Sequence, residues 1–145
     1  MKFEEISIRL KKLLASKVPS VLIEDLVLSS SYIVFEIAGE TIFRPGDAPM
    51  GFYWVLEGGA TEELSPDLQV NAGPGEMIGL EEFLDKTVHR HLWKTSGRTE
   101  AIFIDRRAYD HLISNIKGSD FIMHQLSHQL LMLKGNLHFA HSKGA

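Results

Sequence analysis

Hydrophobic spacing changes twice along this chain, from helical to alternating and back. Phe3, Ile6, Ile8, Leu10, Leu13 and Leu14 recur near helical spacing, and Pro19 opens a second turn that carries Val21, Leu22, Leu26 and Leu28. Two short helices meeting near Val18–Ser20 are expected. After the breaker Ser29-Ser30-Ser31, the run Tyr32–Ile37 puts Ile33, Phe35 and Ile37 on one face and Tyr32, Val34 and Glu36 on the other, the period of a strand. Short β-like runs then alternate with turn signals: Thr41–Phe43 before Arg44-Pro45-Gly46-Asp47, Phe52–Glu57 before Gly58-Gly59, Ala60–Leu64 before Ser65-Pro66-Asp67, and Leu68–Asn71 before Gly73-Pro74-Gly75. Two further strands, His91–Thr95 and Glu100–Asp105, follow a short acidic helical turn. Helical periodicity returns in Arg106–Asn115 and, after an interruption at Gly118, in Asp120–His138. Many short, evenly spaced strands between helical ends predict a barrel- or sandwich-like β-roll with flanking helices.

A chain of 145 residues holds one domain with a continuous core and leaves no room for a second. The pattern divides it into N-terminal helices over 1–30, a β-roll over 31–105 and C-terminal helices over 106–141. A hydrophobic share of 44% with 9% aromatic residues places the chain among globular proteins. Fifteen Lys+Arg against 19 Asp+Glu give a formal charge of −4 and no overall cationic field, so direct DNA binding by this chain is not expected. The absence of cysteine removes disulfides, thiolate metal sites and cysteine nucleophiles, and favours the cytoplasm. Met1–Leu14 is too charged for a signal peptide, and no window approaches the roughly eighteen apolar residues of a membrane span.

The segment Met77–Ser96 carries the most specific chemistry. Gly79 permits close backbone approach, the first N–H groups of the following turn lack intrahelical acceptors, and Arg90 enters from the next strand. Together they form a clamp suited to a phosphate, since arginine can bind phosphoryl oxygens with two N–H groups at once. A structural alternative pairs Arg90 with Glu81, Glu82 or Glu57 to hold the turn on the roll. Alternation along His91, Trp93 and Thr95 is expected to turn these three outward, opposite Arg90 and Leu92. The adjacent pairs Glu62-Glu63 and Glu81-Glu82 read as surface charge. His124 and His128 stand one helical turn apart, but no glutamate follows His124 and no third ligand has a fixed place, so a polar helix face is expected and no metal site. No serine lies in a strand–turn–helix elbow, so no catalytic residue is assigned and an enzyme is not expected.

The order of elements resembles the cyclic-nucleotide-binding domain of bacterial catabolite-activator-type regulators and their ion-channel and kinase relatives. The likeness runs over roughly residues 20–138. It is carried by Gly39-Glu40-Thr41-Ile42-Phe43-Arg44-Pro45-Gly46-Asp47, by Phe52-Tyr53-Trp54-Val55-Leu56-Glu57-Gly58-Gly59, by Gly73-Pro74-Gly75-Glu76-Met77-Ile78-Gly79, and by the Arg90 strand. The resemblance implies a β jelly roll (double-stranded β-helix) with N-terminal helices and a long C-terminal helix, and a pocket for cAMP or cGMP built on the cassette 78–92. Gly79 and Arg90 fall at the family's separation without a gap. Leu80 stands where the family has a ribose-binding glutamate, and His91 and Leu92 replace the small residues after the arginine.

On this resemblance the expected function is a non-catalytic sensor, without a cofactor, signalling through its C-terminal helix. Gly79, Leu80, Glu81, Arg90, His91 and Leu92 are its expected ligand-binding residues. The stripe Phe121, Leu126, Leu130, Leu133 and Leu137 would pair with its twin in a homodimer. No helix-turn-helix follows before Ser142-Lys143-Gly144-Ala145, so signalling is expected to pass through a partner. Leu80 supports a second reading, a fold of the same shape that binds no nucleotide and serves as a dimerisation or interaction scaffold. A third lets the pocket accept another small anion or an apolar effector.

Overall fold

A computed structural model describes residues 3–14 and 20–127. Two helices, α1 (Phe3–Leu14) and α2 (Ser20–Ser29), precede eight strands: β1 (Ser31–Phe35), β2 (Thr41–Phe43), β3 (Gly51–Glu57), β4 (Ala60–Ser65), β5 (Leu68–Ala72), β6 (Met77–Ile78), β7 (Leu92–Thr95) and β8 (Thr99–Asp105). Helix α3 (Leu80–Asp85) separates β6 from β7, α4 (Arg106–Ile113) follows β8, and α5 covers 116–127. The strands form two four-stranded antiparallel sheets, ordered β1-β8-β3-β6 and β2-β7-β4-β5. This is the expected jelly roll with flanking helices. The expected meeting of α1 and α2 and the remainder of the last helix, including His128, Leu130, Leu133 and Leu137, lie outside the described residues.

Strand β3 explains the architecture, because it is buried on both faces. Phe52, Trp54 and Leu56 join Ile6, Leu10, Leu22, Ile23, Leu26, Ile102, Ile104, Leu112 and Phe121 in a core between the first sheet and the helices. Val55 points the other way, into the roll, with Ile42, Phe43, Ala60, Ala72, Ile78 and Trp93. A strand covered on two sides needs apolar residues at successive positions, hence the unbroken run Phe52–Leu56.

Three local expectations are corrected. The first strand ends at Phe35, and Ile37 is 65% exposed. Its N–H donates to Glu40 Oε2 at 3.1 Å and its carbonyl accepts from Thr95 Oγ1 at 2.8 Å, which commits this backbone to a turn. Met77–Ile78 forms a strand on β3 where only a turn was read, being too short to show a period. The break between the C-terminal helices falls at Ser114–Asn115, with Gly118 inside α5. Asn115 Oδ1 accepts from the Lys117 N–H at 2.9 Å, while a Cβ on Gly118 would lie 2.1 Å from the Leu112 carbonyl oxygen. Gly118 therefore serves close helix approach rather than interruption.

A charged cluster ties α1 to the roll. Arg9 reaches Glu100 Oε1 at 3.1 Å and Glu57 at 3.0 Å, Arg98 reaches Glu100 at 3.1 Å, and the Tyr32 hydroxyl donates to Glu100. The hydrogen bond from Arg9 leads in holding the Glu100 carboxyl well below the usual carboxylate range, while burial and the Glu100 bond push Tyr32 up to about 12. Glu100→Ala leaves Arg9 and Arg98 without their shared acceptor. Urea unfolding at pH 7 is expected to show a loss of roughly 1–3 kcal/mol. Because the folded carboxyl is depressed, its stabilisation is present above the unfolded value near 4 and is lost on acidification. The difference from wild type should therefore shrink below about pH 4, and an unchanged difference would contradict the assignment.

Candidate functional site

The site is built on a reversal between β6 and α3. Gly79 takes φ 85° and ψ 10°, a left-handed conformation open to glycine, and its carbonyl accepts the Phe83 N–H at 3.2 Å. There is no room for a side chain: a Cβ would lie 2.6 Å from Phe43 Cε2 and 3.1 Å from His89 Cε1. Leu80 and Phe83 then point into the helix-side core, leaving Glu81 and Glu82 on the open side. Lys86, also left-handed, ends α3 with its N–H on the Glu82 carbonyl.

Arg90 is positioned by the loop before it. The His89 carbonyl accepts from the Gly46 N–H at 2.7 Å, and the His89 N–H donates to the Asp47 carbonyl at 2.9 Å. That turn is itself closed by Asp47 Oδ2 on the Arg44 N–H at 2.8 Å. The turn Arg44-Pro45-Gly46-Asp47 thus anchors the residue next to Arg90.

Two cavities meet here. One of about 60 Å³ is lined by Gly79, Leu80, Glu81, Glu82, Glu62 and Trp93, among others. The other, of about 200 Å³, is lined by Glu62, Glu81, Glu82, Asp85, Arg90 and His91, among others. Glu62, Glu81 and Glu82 form their common wall. Of the residues expected at the ligand, Gly79, Leu80, Glu81, Arg90 and His91 therefore come together, while Leu92 lines neither cavity. Leu80 is fully buried in the core beneath the pocket.

Several expectations about orientation are overturned. Trp93 and Thr95 face inward and Lys94 outward, so the alternation holds with its faces exchanged. The parity of a strand gives two faces without saying which is buried. His91 stands 3.8 Å from Glu62 through Nδ1. Glu57 pairs with Arg9 instead of Arg90, and among the described residues no carboxylate comes within ion-pair distance of Arg90. Glu62, Glu81 and Glu82 are pocket residues rather than plain surface charge. Glu62 is the pocket residue that sequence reasoning missed. Its signal was the alternation that puts it on the face of Ala60, opposite Glu63.

The pocket is acidic. Burial pushes the Glu62 carboxyl up to about 7, Glu82 and Glu81 add to the rise, and a hydrogen bond from Trp93 opposes it. Burial also raises Glu81, helped by Glu82 and Asp85 and opposed by Arg90. Beneath the pocket His89 is 1% exposed, stacked on Phe43 at 3.8 Å between ring centroids, with no protein partner for either ring nitrogen among the described residues. Burial lowers its pKa against the pull of Asp47.

The eight-stranded roll thus holds a small pocket between a sheet and a glycine-opened helical turn. The model of the cyclic nucleotide-binding domain family matches residues 37–115, more than half of the chain, and the chain belongs to that family. No curated protein matches the chain in sequence. Similar solved structures include the regulatory domain of Toxoplasma gondii PKA with cAMP, at 17% identity over 87% of this chain and 50% of that one, TM-score 0.69. The c-di-GMP responsive global regulator CLP of Xanthomonas campestris is similar at 23% identity over 79% of this chain and 60% of its own, TM-score 0.62. A cAMP-binding acyltransferase from Mycobacterium smegmatis is similar at 20% identity over 75% of this chain and 36% of its own, TM-score 0.59. The chain thus spans only part of these longer proteins, and the likeness shows the fold. Among the described residues no helix is long and apolar enough to cross a membrane.

His89 makes a prediction about stability. With its folded pKa below the ordinary 6.5, the unfolded chain takes up this proton first, so the His89 contribution to stability falls as pH drops below about 6.5. His89→Phe keeps the stack on Phe43 and removes the titration. Its melting temperature relative to wild type should rise progressively from pH 7 to pH 5; a constant difference would show that His89 is not the titrating group.

Proposed function

We propose that this chain is a non-catalytic sensor module whose pocket takes cAMP, cGMP or a similar small anion. The Gly79 backbone and the Arg90 guanidinium meet the phosphate, with Leu80, Glu81 and His91 around it. The observation that carries this reading is Arg90: an arginine at a cavity wall, held by a pinned loop and without a carboxylate at ion-pair distance among the described residues. A charge-assisted pair with a ligand oxyanion is the natural complement of such a group.

Signalling follows from what α3 touches. The Phe83 ring packs on Phe52 at 5.2 Å and on Tyr109 at 5.0 Å, and the Arg106 guanidinium lies 4.1 Å from its centroid. A ligand that shifts α3 therefore acts on α4 and, through the break at Ser114–Asn115, on α5. Phe121 and Leu126 pack on the roll, which corrects their expected place in a dimer seam. The exposed Ile116 and Met123 provide the outer face on which α5 would pair with its twin. In this reading residues 1–145 act as one cytoplasmic unit that does not itself bind DNA or a membrane.

Leu80 and the pocket carboxylates favour a second reading, a cyclic-nucleotide-binding fold that binds no nucleotide and acts as a scaffold. Thermal denaturation with cAMP and with cGMP separates the two. On the first reading, ligand at about a hundred times its Kd adds roughly 2.7 kcal/mol, and Arg90→Ala abolishes the gain. No shift with either nucleotide would leave the scaffold reading. For the dimer, light scattering at micromolar concentration is expected to give twice the mass of the 16.3 kDa chain, and Met123→Glu to return it to a monomer. A monomeric wild type would remove the dimer from the proposal.

A further inference from the structure

We infer that Glu62 determines which ligands this pocket accepts: an anion binds with Glu62 in its carboxylic acid form, donating a hydrogen bond to a ligand oxygen, so that binding draws in one proton. The inference rests on the reading of the pocket as an anion site. The proton comes from bulk water, and no covalent bond to the ligand forms.

Position makes Glu62 the controlling group. It projects from β4 into the wall common to both cavities, and its side chain is only 13% exposed. Its cross-strand neighbours are Val70 on β5 and Trp93 on β7, and neither can neutralise it. From α3 it faces Glu81, Glu82 and Asp85, from the segment 86–91 Arg90 and, at 3.8 Å, His91, and across the smaller cavity Glu76 from the turn before β6. Glu63, its neighbour in sequence, turns away toward Lys94 at 3.8 Å. Three carboxylates besides Glu62 thus share the larger cavity with one arginine and one histidine.

A charged Glu62 would repel a phosphate from a poorly solvated point of this wall, where repulsion is weakly screened. Protonation removes that repulsion and supplies an O–H donor in place of a bare acceptor. Burial has already moved the group to where this step is inexpensive, its carboxyl titrating at about 7 in the free protein. A ligand phosphate close by raises it further, and by linkage the rise appears as tighter binding at lower pH. Glu81, more exposed, leaves solvent room to turn its charge aside.

Isothermal calorimetry of the whole chain with cAMP, in two buffers of different ionisation heat, measures the proton directly. At pH 8 uptake close to one proton is expected, declining toward zero near pH 6, with affinity weakening roughly tenfold per pH unit above about 7.5. Glu62→Gln, which keeps the size and a donor N–H, should bind at pH 8 without proton uptake and with a nearly flat pH profile. Should that variant not fold, carbon NMR of the Glu62 carboxyl in wild type, with and without cAMP, reads the same rise in pKa. Binding with no proton uptake, or uptake that persists in Glu62→Gln, would overturn this inference and leave the pocket reading standing. No heat with cAMP or cGMP anywhere between pH 6 and 8.5 would overturn the pocket reading and this inference with it.

Discussion

The left-handed turn at Gly79 is the constraint on which the rest of the site depends. It converts the end of β6 into the start of α3 within one residue, directly beneath Phe43 and His89. Any Cβ there would meet ring atoms and a backbone conformation that L residues rarely adopt. Because the reversal occurs at that point, Leu80 and Phe83 enter the core on one side while Glu81 and Glu82 line the cavities on the other. One backbone torsion thus decides both how the helical turn is held and what charge the pocket presents.

Holding the turn through Phe83 has consequences beyond the pocket. Its ring sits among Phe52, Tyr109 and the Arg106 guanidinium, so α3 is packed against α4 rather than lying free on the sheet. Helix α4 is itself fixed at its start, where Asp105 Oδ1 accepts the Ala108 N–H at 3.0 Å, a cap worth about 1 kcal/mol. The other end is at Ser114–Asn115, where helical hydrogen bonding is interrupted before α5. In the proposed sensor, a displacement of α3 would pass through this packing to the break between α4 and α5. Close-packed interiors transmit strain in this way because they have no voids in which to absorb it.

The β-roll was legible in the sequence because turns leave strong residues behind. Gly46, Gly58 and Gly75 each occupy positive φ, and each followed a run of alternating or continuous apolar residues. What could not be read was orientation. His91, Trp93 and Thr95 share one face by parity, but only the packing of Trp93 against Ile42, Phe43 and Ala72 reveals that this face is the inner one. The same gap hid Glu62, a carboxylate in a strand that otherwise looks solvent-exposed. Its importance arises from α3 arriving over it from a distant part of the chain. That Gly79 and Arg90 reach the cavities was legible for the opposite reason, since their positions depend on short segments with fixed spacing. Helix boundaries fell between these extremes: Gly118 looked like a breaker, and only the proximity of the Leu112 carbonyl shows why glycine is needed inside α5.

A pocket rich in carboxylates within a nucleotide-binding fold poses an electrostatic problem with few physical solutions. Like charges at close range and partial burial cannot all remain ionised, so one of them yields its charge before the others. Glu62 is that group, because it is largely enclosed, feels both Glu81 and Glu82, and has only the Trp93 hydrogen bond and His91 at 3.8 Å to offset them. Glu81 keeps solvent on one side and feels Arg90 on the other. The acidic wall thus has one member, Glu62, that changes state near neutrality. Leu80 fits the same logic. It removes from the cassette the carboxylate that the family places there, and a further buried anion beside Glu62, Glu81 and Glu82 would have added to the repulsion. In the proposed site, the polar groups left to meet a ligand include Glu62 and Trp93, which β4 and β7 place side by side.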